Sequence, residues 1–198
     1  YIGLSLFVQI FAGLSFDYYI AKVYHSSQED PATLKNKIAS LNGYLIFAGF
    51  FITSLFLLFG NLYIKSFINN SNPAAFRYVI MAVLTGVFNG HFKFYNSLLI
   101  NREKPWRYLW ANILNLVTTV GFSVLVLKMC PLTLEGPLWG RVLSCGIIFI
   151  FSFTDVTYTY GLAFKRDFIT PAFLFCLPLV ITGFFQWILS YSDRYIIK

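Results

Sequence analysis

Six long apolar stretches follow one another along the chain, separated by short polar gaps. They run from Ile2 to Tyr24, Leu41 to Ile64, Tyr78 to Ile100, Tyr108 to Leu127, Pro137 to Thr157 and Ala172 to Tyr191, and we denote them spans A to F. About 20 mostly apolar residues are enough for a helix to cross the hydrocarbon core of a bilayer. No strict alternation of apolar and polar positions persists long enough for barrel strands. The spanning solution is therefore helical, because in lipid each backbone N–H and C=O must find its partner within the fold. The pattern predicts an all-α, polytopic transmembrane helix bundle of about six spans. The gaps carry turn-forming residues, such as Ser26-Ser27-Gln28-Glu29-Asp30-Pro31 and Asn69-Asn70-Ser71-Asn72-Pro73, and none is long enough to hold a soluble domain.

The charges follow the same rhythm. The A–B, C–D and E–F gaps and their flanks hold Lys22, Lys35, Lys37, Arg102, Lys104, Arg107, Lys165 and Arg166, eight in all, against four, Lys65, Arg77, Lys128 and Arg141, in the B–C and D–E gaps. Basic residues concentrate on the cytoplasmic side, so span A is expected to run inward and span F outward. Hydrophobic residues make up 58% of the chain and charged residues 12%, about half the charged share of a soluble domain. The net charge of +7 suits an anionic membrane face. The aromatics lie inside the apolar runs rather than along a basic groove, so the expected partner is the lipid bilayer and no nucleic acid is implied. Cys130, Cys145 and Cys176 are isolated thiols without CxxC spacing, and imply no disulfide framework and no metal site. Neither a nucleophile elbow, a zincin helix, a P-loop nor a dinucleotide turn occurs; no enzyme and no cofactor is predicted. The chain opens within an apolar run and reads as an internal fragment of a longer, transporter-sized chain.

Polar residues recur within the spans at helical spacing. Span A has Ser5, Gln9, Gly13 and Asp17; span C has Gly86, Asn89, Gly90, Lys93, Asn96 and Ser97; span D has Asn112, Asn115, Thr119 and Ser123; span E has Arg141, Ser144, Cys145 and Ser152; span F has Thr182, Gln186, Ser190 and Asp193. Two readings are open for these stripes. One is helix packing, since small and polar residues line membrane interfaces. The other is a shared wet cavity, favoured by charges that hydrocarbon does not tolerate cheaply. Lys93, seven residues from the end of span C, either snorkels to the headgroups or lines that cavity. Arg141 is an interfacial anchor or a phosphate contact. His91, nearly opposite Lys93 on the helix, bonds a neighbouring helix or takes part in proton coupling. Asp17, the acid well inside a span, pairs with a cation of another span or carries a coupling ion. Asp193 and Arg194 close span F and, being adjacent, face different partners. Pro178 removes a backbone hydrogen bond and, with Gly183, is a hinge candidate.

Leu177-Pro178-Leu179, followed by Ser190-Tyr191-Ser192-Asp193-Arg194-Tyr195-Ile196-Ile197, resembles the start of the second half of the Wzx-type polysaccharide (O-antigen) flippases, part of the MATE/MOP superfamily. Gly140-Arg141-Val142-Leu143-Ser144 and the loop Arg102-Glu103-Lys104-Pro105 with Arg107-Tyr108 are similar to the family's segments at those places. The resemblance implies a MATE/MOP-like fold in which residues 1–160 form the C-terminal part of a first bundle of about five spans, and 161–198 a cytoplasmic linker and the first helix of a second bundle. It also implies a function: alternating-access translocation of an isoprenoid-diphosphate-linked oligosaccharide across the inner (plasma) membrane, alongside polysaccharide polymerase or export machinery. Lys93 and Arg141 would meet the diphosphate, and Asn89, Asn96, Asn115 and Gln186 the sugar hydroxyls. Asp17 matches no family feature. The alternatives are a MATE-like cation or drug antiporter, which would want an acidic cavity, and a membrane-embedded glycan polymerase or ligase, which would want a larger outer loop.

Overall fold

The structure, a computed structural model, describes residues 1–25, 30–67, 73–129 and 135–196, with side chains over 1–25, 30–60, 76–129 and 136–191. Among these residues there are seven helices and no strand: α1 (Ile2–Gly13), α2 (Phe16–His25), α3 (Pro31–Phe67), α4 (Pro73–Asn101), α5 (Pro105–Met129), α6 (Glu135–Tyr160) and α7 (Arg166–Ile196). The chain is an all-α helical bundle. Five stretches are long and apolar enough to cross a membrane: Ile2–His25, which joins α1 and α2, Pro31–Gly60, Pro105–Met129, Gly136–Tyr160 and Arg166–Tyr191. Five such helices make it a multi-pass membrane protein. The expected sixth, span C, is α4. At 29 residues it is long enough, but its polar line leaves it less apolar than the other five.

Side-chain contacts fix the helix directions. α4 runs parallel to span A, from Tyr1 and Thr85 (hydroxyls 2.6 Å apart) to Asp17 and Ser97. It also runs parallel to α6, where Asn89 meets Cys145 and Tyr95 meets Asp155. α3, α5 and α7 run the other way: Asn42 of α3 meets His91 of α4, Thr118 of α5 meets Ser144 of α6, and Trp187 of α7 donates to the Gly3 carbonyl. The A–B, C–D and E–F gaps consequently share one end. There the Tyr24 and Tyr160 hydroxyls lie 2.7 Å apart, Arg102 sits 5.2 Å over the Tyr160 ring, and Ala163 N–H donates to the Ala39 carbonyl. The eight-residue basic set therefore gathers at a single end of the bundle.

Two turns at that end show how local chemistry closes helices. Glu103 takes a left-handed conformation (φ 54°), and its N–H and that of Lys104 return to the Ile100 and Leu99 carbonyls. Pro105 then starts α5, where a missing N–H costs nothing. Gly161, with φ 86°, ends α6 and donates to the Thr157 carbonyl, a conformation that glycine adopts without a Cβ penalty. The core at this end holds Phe16, Ile20, Ile38, Leu41, Phe94, Leu98, Leu99 and Ile148.

One expectation needs correction. Span A reads as a continuous helix in the sequence, yet it is broken: Leu14 and Ser15 both have positive φ (47° and 53°). The Leu14 N–H returns to Ile10 and caps α1, and α2 restarts at Phe16. Left-handed non-glycine residues cost roughly 1–2 kcal/mol each, so neighbouring contacts must hold the break. The Ser15 carbonyl accepts from Cys176 of α7 (3.3 Å), and Gly13 lies against Gly90 of α4, so close that a Cβ on Gly90 would sit 3.1 Å from the Gly13 nitrogen. The stripe Ser5-Gln9-Gly13-Asp17 assumes an unbroken helix, and the break ends it before Asp17. By contrast α7 continues as one helix through Pro171 and Pro178.

Candidate functional site

The polar line of α4 divides into two tracks. The first, Gly86, Gly90, Lys93 and Ser97, faces span A. A Cβ on Gly86 would lie 2.5 Å from the Ser5 carbonyl oxygen, so this half of the stripe is a close-packed seam. Below the break the seam turns polar. Lys93 Nζ pairs with Asp17 Oδ2 at 3.0 Å and lies 5.0 Å from the Tyr18 ring centre, while Ser97 Oγ donates to the Asp17 carbonyl at 2.6 Å. The carboxylate side chain is only 12% exposed, and the Lys93 side chain 50%. Asp17 thus has its cation, supplied by another span. It stands in the first turn of α2, where the helix dipole also favours an acid.

The second track, Asn89 and Asn96, faces α6 and α5. Asn89 Oδ1 accepts from the Cys145 thiol at 3.5 Å, and Asn96 and Asn112 form a reciprocal amide pair at 3.3 and 3.2 Å. Span A and the α5–α6 pair both pack on α4 but not on each other along their length. Asn89, Lys93 and Asn96 lie on the strip of α4 left between these two contacts, which we call the furrow; Lys93 is exposed there and the two amides are half-buried. Asn115 lies one turn from Asn112, half-buried, and its side chain makes no hydrogen bond among the described residues.

The other candidates lie elsewhere. Register with Asn89 and Cys145 sets Arg141 level with Thr85, eight residues or roughly 12 Å along the axis from Lys93. The two cations do not form one cluster. Arg141 is half-buried and has no ion pair among the described residues. Gln186 is exposed on α7, which packs on α1, α2 and α3 rather than on the furrow. Asp193 and Arg194 lie on the α7 backbone, but their side chains fall outside the described residues, as does Cys130.

His91 points away from the furrow. It is 3% exposed, and its two ring nitrogens meet Asn42 Oδ1 of α3 and Ser152 Oγ of α6, each at 3.1 Å. Asn42 in turn donates to Thr157 Oγ1 at 3.3 Å. His91 also edges a cavity of about 260 Å³ between α3, α4 and α6, whose lining is otherwise mostly apolar.

Sequence reasoning missed Asp155. Its Oδ1 lies 3.6 Å from Arg107 Nη1 of α5, and its Oδ2 accepts from the Tyr95 hydroxyl at 3.1 Å. The signal was available, since Asp155 lies inside span E, but it stands two residues from the span's end, where an acid is unremarked. Among the described residues no group of three His, Cys, Asp or Glu could hold a metal ion. Comparison of the chain with protein-family models, with curated proteins and with solved structures finds no match.

Proposed function

We propose that the chain forms part of a flippase that carries an isoprenoid-diphosphate-linked oligosaccharide from the cytoplasmic to the outer leaflet by alternating access. The observation that carries this reading is the furrow along α4, in which a half-exposed lysine within a span is flanked by amides and held by one carboxylate. A diphosphate competes with Asp17 for Lys93, since both offer charge-assisted hydrogen bonds to an ammonium. The amides of Asn89, Asn96 and Asn115 suit sugar hydroxyls. When the pair opens, the break at Leu14–Ser15 gives α2 freedom to move relative to α1. An organic-cation exporter is the second reading, favoured by Asp17, the one acid beside the furrow among the described residues; its pairing with Lys93 weighs for an anionic ligand.

The test uses the full-length protein in its host. Lys93→Ala is expected to lower surface glycan strongly with unchanged protein in the membrane, and Asp17→Asn to retain more transport than Lys93→Ala. Wild-type glycan in Lys93→Ala would reject the reading, and loss confined to Asp17→Asn would favour the cation exporter.

A further inference from the structure

A second cleft lies apart from the furrow, at the basic end of the bundle. About 410 Å³ between α4, α5 and α6 is lined by Tyr95, Arg107, Trp110, Leu114, Phe151 and Asp155. Trp110, Leu114 and Phe151 are exposed on the apolar outer surface, so the mouth opens toward lipid. A cleft open to hydrocarbon is filled by an acyl chain, because water gains too few hydrogen bonds there. Arg107 stands in the first turn of α5, at the depth where the span meets the headgroups.

The polar end of this cleft carries both signs. Arg107 is 57% exposed; among the described residues its guanidinium makes one ion pair, the 3.6 Å approach to Asp155, and no hydrogen bond. Most of its five N–H donors therefore remain for a ligand. Asp155 keeps Oδ1 toward Arg107 and spends Oδ2 on Tyr95. A lone cation would suit any anionic lipid, but the neighbouring carboxylate disfavours a headgroup that is only anionic. A zwitterionic headgroup with a primary ammonium matches both: its phosphate takes the guanidinium fork, and its N–H donors take the carboxylate. A quaternary choline has no N–H to offer.

We propose that this cleft binds one ethanolamine-type phospholipid, with its phosphate on Arg107, its ammonium on Asp155 and an acyl chain along Trp110, Leu114 and Phe151. The site is independent of the furrow and of the function proposed for it.

The experiment is native mass spectrometry of the full-length protein, equilibrated with equal amounts of phosphatidylethanolamine, phosphatidylcholine and phosphatidylglycerol of matched chains. Phosphatidylethanolamine is expected to be retained about tenfold over either competitor, a difference of about 1.4 kcal/mol. Asp155→Asn should abolish the preference over phosphatidylcholine while phospholipid still binds, and Arg107→Ala should lower retention of all three. Equal retention on the wild-type protein overturns the proposal. So does a preference for phosphatidylglycerol, which would mean simple adsorption to a basic face, or an Asp155→Asn profile identical to wild type. Should either variant fail to fold, the wild-type competition decides alone.

Discussion

α4 and α5 are neighbours in sequence, joined only by Arg102, Glu103 and Lys104, and they are built on opposite plans. α4 carries Asn89, His91, Lys93, Asn96 and Ser97, yet it buries Val79, Met81, Ala82, Val83, Phe94, Tyr95, Leu98 and Leu99 and packs on five other helices. α5 is apolar enough to stand as a span, yet Ala111 is its one buried residue, and Trp110, Leu116, Val117, Val120 and Leu125 face outward. A soluble protein would invert this arrangement. In a bilayer the solvent is as apolar as the core, so hydrophobicity selects lipid contact, while small and polar residues mark the helix that others pack around.

The comparison breaks most sharply if charge is tolerated alike on both helices. Val117 is midway along α5 and 60% exposed. Val117→Lys brings no carboxylate partner and lies too deep to reach the headgroups easily. It should cost insertion about 2.5–3.5 kcal/mol, the translocon cost of a central lysine. Reporter glycosylation should show a clear loss of the correctly inserted form. Insertion equal to the parent would mean that α5 borders water or an unseen acid, and the division between the helices would fail.

Packing gives the next effect, through two glycines. A Cβ on Gly86 of α4 would meet the Ser5 carbonyl oxygen at 2.5 Å and Val8 Cβ at 2.7 Å, whereas one on Gly121 of α5 meets nothing within 4 Å. Gly86→Ala must push span A away and should destabilise by about 1–3 kcal/mol, as overpacking does. Gly121→Ala gains helix propensity and should stabilise by roughly 0.5–1 kcal/mol. Unfolding in detergent by a steric-trap or denaturant assay reads both signs, and equal effects at the two sites would remove the distinction between seam and surface.

These two helices also show what the sequence could reveal. Apolar runs and basic gaps are one-dimensional properties, so the six expected stretches correspond to helices and the alternating gaps meet at one end. The polar face of span C was legible, but its division was not: that span A covers Gly86 and Gly90 while α6 and α5 meet Asn89 and Asn96 is set by tertiary packing. That Asp17 would find a cation could be expected; that the cation would be Lys93 depends on the tertiary register of α2 and α4. The break at Leu14–Ser15 had no proline to announce it, while α7 runs on through Pro178, the residue read as a hinge candidate. Local propensity locates a weak point in a helix, but contacts such as Gly13 with Gly90 and Ser15 with Cys176 decide whether the chain uses it.

The smallest effect concerns the buried face of α4. His91 by itself ties α4 to α3 through Asn42 and to α6 through Ser152, whereas α5 reaches its two neighbours through separate residues, Asn112 to Asn96 of α4 and Thr118 to Ser144 of α6. Removing His91 alone leaves the Asn42 carbonyl oxygen buried without its donor, so His91→Ala overstates the bond by adding that penalty and a cavity. A double-mutant cycle with Asn42→Ala cancels the cavity terms and leaves the coupling of the pair, which includes the cost of orphaning either partner. Interhelical hydrogen bonds in membranes average about 0.6 kcal/mol in such cycles, because the unfolded chain in lipid finds other partners. A coupling of that order, absent from the matched cycle of Thr118→Val with Asn42→Ala, is expected from detergent unfolding. A His91–Asn42 coupling of zero would mean that α3 and α4 are held by packing alone, and that the polar interior of α4 adds specificity at no measurable gain in stability.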